Sequence, residues 1–405
     1  MNSFWSLVGF EYKKILHKRS VQVVLFLAAI VTAISVGGTL LGNSYVDGEV
    51  YESNYEAMVK DRTYARALDG RTLDGELLEE AADAYARIPA SDKYMDTPEY
   101  QTYARPYSQI YSLTRAVYNT VSRRFNMEDF QGLTEKQAEE FYAMRRDKLV
   151  QLMEAAGMSD RAKEEVLASD AQIEIPFTFS YTDGYTRSFT LMYTTGLIAA
   201  FVMAICIAPL FSGEYTSGAD QLILTSKYGK NRLISAKLFT GFSLAAILCL
   251  VLTAIVYALS MLVFGFDGGN APFQLYAPLS PYPLTMGQTA LLLTVCAFFA
   301  CILSAAITML LSTKLKSPFG VIILISLLLV VPMFIDIPNT NIWLYNLSHL
   351  LPTNMLSLSV VADGIQYELL GLVIKPYAFL PIFAAAVSAV LTPFAYRSFK
   401  KHQIS

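Results

Sequence analysis

Three histidines, four cysteines and one Gly-Lys pair are the residues of this chain best suited to catalysis or metal binding, and their spacing serves neither. His17, His349 and His402 stand far apart, with no His-Glu-x-x-His and no Cys/His cluster at zinc-ligand spacing. Gly229-Lys230 is followed by Asn231, and Leu224 rather than Gly stands five positions before Gly229, so no phosphate loop is read here. Cys206, Cys249, Cys296 and Cys301 all fall in apolar runs, where small buried side chains are expected rather than metal or redox chemistry. The chain is therefore expected to be no enzyme and to hold no cofactor or metal of its own.

The one stretch whose charges have a purposeful pattern runs from Phe211 to Leu238. It carries an acid, Glu214, then Gly218, then Lys227, Lys230, Arg232 and Lys237. Basic residues at this place are explained by membrane orientation alone. Orientation does not call for an acid at Glu214.

What must position this stretch is a set of membrane helices. Of 405 residues, 54% are hydrophobic and 16% charged, with mean hydropathy +0.39, too apolar for an ordinary soluble enzyme. The excess falls in six runs long enough to cross about 30 Å of hydrocarbon: 20–41, 190–211, 238–264, 288–312, 318–335 and 376–396. None has an Asp, Glu, Lys, Arg or His in its interior. Bases gather at Lys13, Lys14, Lys18 and Arg19, in the Glu214 stretch, at Lys314 and Lys316, and at Arg397, Lys400 and Lys401. The alternate loops, 265–287 and 336–375, hold only Lys375. Basic loops are retained in the cytoplasm, which predicts an all-α integral membrane protein of six transmembrane helices with both ends inside.

The division expected is 1–41, an interfacial helix and first span; 42–189, an extracytoplasmic domain; and 190–405, five spans with a cytoplasmic coupling loop at 212–237. In the first part, Phe4, Val8, Tyr12, Ile15 and Leu16 share a face, as in a helix lying in the inner interface. The following run is read as an uncleaved span rather than a signal peptide, since no convincing small-residue cleavage site follows it. Residues 42–189 hold 27 acids against 17 bases and no spanning run. Helical spacing broken by Pro89, Pro98, Pro106, Gly157 and Pro176 predicts a mainly helical domain there. Its tyrosines, among them Tyr94, Tyr100, Tyr103, Tyr107, Tyr111 and Tyr118, are expected to pack helices together rather than to form an exposed binding face. Between Ile342 and Ile374 an apolar stretch is interrupted at Pro352-Thr353-Asn354, which predicts short re-entrant or interfacial helices on the outer side before the last span.

Phe211-Ser-Gly-Glu214, then Gly218, Leu222, Leu224-Thr225-Ser226, the basic cluster and Lys237 leading the next apolar run resembles the permease subunits of type-2 ATP-binding-cassette (ABC-2) exporters. The six-span layout, the N-terminal interfacial helix and the broken outer helices match too, so the resemblance covers 1–41 and 190–405. The long outer segment departs from the simplest members. The resemblance implies a coupling helix within 214–232 that docks in a groove of a separate cytoplasmic ATPase, with Glu214, Gly218, Lys227, Lys230 and Arg232 as the coupling residues. It implies that ATP and Mg are bound by that ATPase, and that a second permease copy or a paralogous permease completes a homo- or heterodimer. Polar side chains available to line a path are Thr32, Ser35, Thr39, Tyr193, Thr194 and Thr195, whose ordinary role is helix packing and backbone bonding.

The expectation is a bacterial plasma-membrane permease subunit exporting an amphiphilic or hydrophobic substrate such as a peptide, lipid or drug, in contact with membrane lipid and not nucleic acid. The apolar fifth span, which the resemblance sets beside the path, offers little to replace a polar solute's hydration. The rival reading is a non-transporting receptor or scaffold whose outer domain binds a ligand or envelope partner. A gradient-driven transporter is disfavoured by the lack of an ionisable residue inside a span.

Overall fold

The computed structural model describes residues 3–89, 93–120, 123–226 and 229–401. Lys227 and His402 lie outside the described residues. Helix α1 (Ser3–Leu16) buries Val8, Glu11 and Ile15 along one face, leaves Leu16 partly exposed, and ends in Lys13 and Lys14, which complement its dipole. Extended backbone at Lys18 turns the chain into α2 (Arg19–Gly37).

Among the described residues, five helical stretches are long and apolar enough to cross a membrane: Arg19–Leu40, Asp183–Ser217, Arg232–Phe264, Met286–Lys314 and Pro376–Lys400. The second comprises α3 (Asp183–Ile207) and α4 (Pro209–Ser217); α5 (Ala219–Thr225) is a short helix; the other three are α6 (Arg232–Phe264), α7 (Met286–Lys314) and α10 (Pro376–Lys400). The run at 318–335 forms a shorter apolar helix over Pro318–Phe334. Here α8 (Pro318–Val330) tightens into a 3-10 turn, Val331–Phe334, where Pro332 removes a backbone donor and crowds the preceding turn.

Two of the spans reach further than their apolar windows. Helix α3 begins at Asp183, whose carboxylate accepts from Gln109 Nε2 at 3.2 Å, and Arg187 in its second turn donates to the carbonyl oxygens of Ser35 and Val36. Helix α6 begins at Arg232, so Lys237 lies inside it. The absence of ionisable residues from the spans thus holds for the apolar windows and not for the helices, because polar side chains with partners let the helices extend.

The core of the bundle is built where α3 meets α6 and α7 meets α10, with α2 against α3 and α6, and α8 against α7. All four cysteines are buried in it. Between α2 and α3 lies a domain that is mostly helical. It begins with a hairpin, β1 (Asn43–Val46) and β2 (Glu49–Ser53), whose tip Asp47-Gly48 has positive φ at both residues, 51° and 83°. That is the mirror-image turn that fits strand twist, and Asp-Gly is its usual sequence. Tyr85 is 1% exposed and its ring packs against those of Tyr94, Tyr100, Tyr111 and Phe130 at 4.9–6.5 Å. These tyrosines form the domain's core. Tyr107 instead bonds Glu80, and Tyr103 is 41% exposed.

The domain is fastened to one end of the bundle. Arg62 donates to Val263 O at 2.6 Å, Tyr181 to Phe264 O at 2.5 Å, and Arg66 pairs with Asp267 at 2.7 Å. Buried Arg145 is held by Asp170 at 2.7 Å and donates to Pro278 O and Ser280 O at 2.6 and 3.0 Å. Beside it, residues 342–374 form α9 (Ile342–His349), a 3-10 turn at Asn354–Leu356, a helical turn at Leu358–Val361, and a second hairpin of β3 (Tyr367–Leu369) and β4 (Leu372–Ile374). Met355 and Leu356 enter the bundle core, and Thr353 donates to Leu329 O at 2.7 Å. The two hairpins amend an all-α description by four short strands.

Candidate functional site

At the other end of the bundle, α1, α4 and α6 meet around Lys237. Its side chain is 0% exposed, and its Nζ donates to Glu214 Oε1 at 2.6 Å and to Glu11 Oε2 at 2.9 Å. Lys14 Nζ donates to the same Glu214 oxygen from a half-exposed position. Two acids and two bases make the cluster neutral, which lets the charges stay out of water; an unpaired one of either sign would carry a large desolvation cost. The Lys237 ammonium also lies 6.0 Å from the Phe211 ring centre. Tyr12 donates to Ser243 Oγ at 2.7 Å, and the rings of Phe4 and Trp5 stand edge-on to Phe239. Helix α1 is thereby fixed to α6 by charge, hydroxyl and ring contacts.

Glu214 reaches this position because the span bends before it. Pro209 has no N–H and cannot continue the ladder of α3, so α4 starts afresh after Ala208. The hydroxyl of Ser312, on α7, accepts from Phe211 N at 3.1 Å and Ser212 N at 3.0 Å and donates to Ala208 O at 2.5 Å. That uses its full donor and acceptor capacity at the break. Tyr215 donates to Thr313 O at 3.1 Å and Thr216 to Lys316 O at 2.8 Å, tying α4 to the end of α7.

Gly218 then ends α4 at φ 67°, the left-handed conformation that closes a helix and is cheapest for glycine. The chain reverses into α5, whose Leu222 is 78% exposed, flanked by exposed Gln221, Thr225 and Ser226. On the way back, Gly229 passes so close to α5 that a Cβ on it would fall 1.6 Å from Ile223 O. The hairpin of α4 and α5 is a polar tip from which Leu222 protrudes, on a root of buried charge.

The structure separates the predicted coupling residues. Glu214 belongs to the buried cluster and turns away from solvent, Gly218 is the turn, and Lys230 and Arg232 are exposed beyond it. The Tyr396 hydroxyl of α10 lies 3.3 Å from Lys230 O and 3.2 Å from Asn231 Oδ1. Lys227 lies outside the described residues. Lys237 was legible only as a base leading an apolar run. Glu11 was hidden among the polar residues of α1, although its spacing of three and four from Val8 and Ile15 puts it on the buried face.

The six polar residues proposed for a path differ in exposure. Thr32 and Thr195 are buried, and Tyr193 and Ser35 are half-buried, with Ser35 donating to Thr32 O at 2.7 Å. Thr39 and Thr194 are exposed. Ser35 thus shows the backbone bonding ordinary for helix hydroxyls.

A family model described as ABC-2 family transporter protein matches residues 53–391, a range that includes the helical part of the domain between α2 and α3. No curated protein and no solved structure matches the chain.

Proposed function

From the premise that the chain belongs to the ABC-2 transporter family, as a multi-pass membrane protein, we propose that it is the permease subunit of an ATP-driven exporter in the bacterial plasma membrane. Its substrate is amphiphilic or hydrophobic, a peptide, lipid or drug. A separate cytoplasmic ATPase binds ATP and Mg, and a second permease, identical or paralogous, completes the path.

The observation that carries this reading is the α4–α5 hairpin with its charged root. Leu222 protrudes from a polar tip, the form of anchor that fills a groove on a partner. A push on that tip bears on α4, and α4 is joined to α1 and α6 through Glu214 and Lys237. Glu214 therefore transmits movement from inside the subunit, while Lys230, Arg232 and Lys227 serve the contact with the ATPase. Ion pairs suit this role because they hold two elements in one register while surrounding apolar contacts slide.

The test is ATP turnover by the complex assembled with its ATPase. Glu214→Gln is expected to insert and to co-purify with the ATPase yet to lose substrate stimulation of turnover. Unchanged stimulation in this variant would overturn the transmission role. Failure of any ATPase to co-purify with the unaltered chain would overturn the permease reading itself.

A further inference from the structure

Far from Lys237, residues 172–178 of the inserted domain face the loop 270–285 across a cleft of about 380 Å³. That volume lies within the range of small-molecule sites. Gln274 lines the cleft and is 1% exposed. Its Nε2 donates to Ser280 O at 3.0 Å and to Tyr282 O at 2.8 Å. Both neighbours are carbonyl oxygens, so only the amide nitrogen can face them, and the position of Oε1 follows by elimination. That oxygen is buried and has no partner among the described residues.

The charge of the cleft is equally definite. Glu174 is its one charged lining residue. The nearest base of the inserted domain to this loop, Arg145, shares Ser280 O with Gln274 but is neutralised by Asp170 at 2.7 Å. Pro176, Pro272 and Pro283 contribute hydrocarbon walls without backbone donors. Beside the amides of Gln172 and Asn270 and the hydroxyls of Thr178 and Thr285, which can donate or accept, the cleft thus offers one anionic acceptor and one buried and unmet, between short apolar faces.

We infer that this cleft binds the ammonium end of a small ligand, a peptide amino terminus or a free amine, with Glu174 pairing the ammonium and Gln274 Oε1 accepting an N–H. The two sides of the site come from different parts of the chain, so occupancy also strengthens the hold of the inserted domain on the bundle. Nothing in the export reading requires this site, and it stands or falls separately.

The test uses the purified full chain in lipid nanodiscs with three probes: alanyl-alanine amide, its N-acetyl form and n-butylamine, followed by saturation-transfer NMR and titration calorimetry. The unblocked dipeptide is expected to bind saturably, and acetylation to weaken it about tenfold or more, as removal of a charge-assisted contact does. Glu174→Gln, an exposed and structurally safe change, is expected to weaken it to a similar extent with Tm unaltered. Gln274→Leu should reduce binding too; because it also frees Ser280 O and Tyr282 O, Glu174→Gln remains the deciding variant. Butylamine binding as well as the dipeptide, with the same dependence on Glu174, assigns the site to free amines. No saturable binding of either amine, or binding indifferent to both acetylation and Glu174→Gln, overturns the inference and leaves water as the partner of Gln274.

Discussion

Lys237 and Glu214 meet at 2.6 Å with neither side chain more than 3% exposed. The two residues stand 23 positions apart in the chain and one hydrogen bond apart in the fold. The pair joins the turn-bearing α4 to the long helix α6, with Glu11 and Lys14 bringing in α1.

Removing Lys237 strands the buried Glu11 carboxylate, while Glu214 keeps Lys14. Lys237→Met is expected to destabilise the subunit by about 3–5 kcal/mol, the usual cost of stranding a buried charge. Adding Glu11→Leu and Glu214→Gln to it should recover much of that loss, since no fully buried charge is then left to desolvate and the half-exposed Lys14 reaches water. Thermal unfolding in one detergent, compared across the single, double and triple variants, checks both statements; a triple variant no more stable than the single would refute the account.

Leu222 is expected to act only when the ATPase is present. Leu222→Asp should leave the unfolding free energy within about 0.5 kcal/mol of the parent, as exposed substitutions do, and should abolish co-purification of the ATPase. A variant that unfolds but still binds would reverse the assignment of this residue from contact to core.

At Gly229, even one methyl group has no room beside Ile223 O. Gly229→Ala is expected to displace the return strand from α5 and to impair ATPase coupling, whereas Gly213→Ala, whose Cβ would meet only the Pro209 side chain at 3.3 Å, should be milder. Protease sensitivity between Ser226 and Arg232 reads out the displacement.

The sidedness of the hairpin is open to chemical labelling. Ser217 is exposed at the end of α4. Ser217→Cys should react with an impermeant thiol reagent only after the cells are permeabilised. Labelling of intact cells would invert the topology and remove the ATPase from reach.

Burial pushes the His349 imidazole down to about 4, beside the Tyr345 ring at 4.1 Å between centres. Tyr345 in turn donates to Asp363 Oδ2 at 2.6 Å, and burial raises the Asp363 carboxyl above its ordinary value. Between pH 6.5 and about 4 the unfolded chain binds a proton at His349 that the native chain does not, so this histidine makes stability fall as pH drops through that window. Asp363 acts oppositely, its raised value favouring the native state as pH falls toward the ordinary carboxyl range. Hydrogen exchange over 342–366, corrected for its intrinsic pH dependence, should therefore show in His349→Gln the loss of the destabilisation that the parent undergoes as pH drops below 6.5.

Membrane class and the connection at 212–237 between two apolar runs were legible in the sequence because each depends on local composition. A run of about 20 apolar residues, a Pro at 209 and a Gly at 218 act on their own neighbourhood whatever the rest of the chain does. The tyrosines of the inserted domain were likewise readable as core, since a large ring is costly to leave in water. The Asp47-Gly48 turn was available as a signal but was outweighed by the helical spacing around it.

What only the tertiary structure decided is which charges meet. Glu11, Lys14, Glu214 and Lys237 come from three helices, and no periodicity within one helix reveals a partner on another. The same holds for Ser312 at the break before α4 and for Gln274 above its cleft, whose hydrogen bonds depend on chain segments folding back against them. Sequence alone therefore set the hinge between α4 and α5; the fold turned its acid inward, because a carboxylate with two ammonium partners is more stable there than in water.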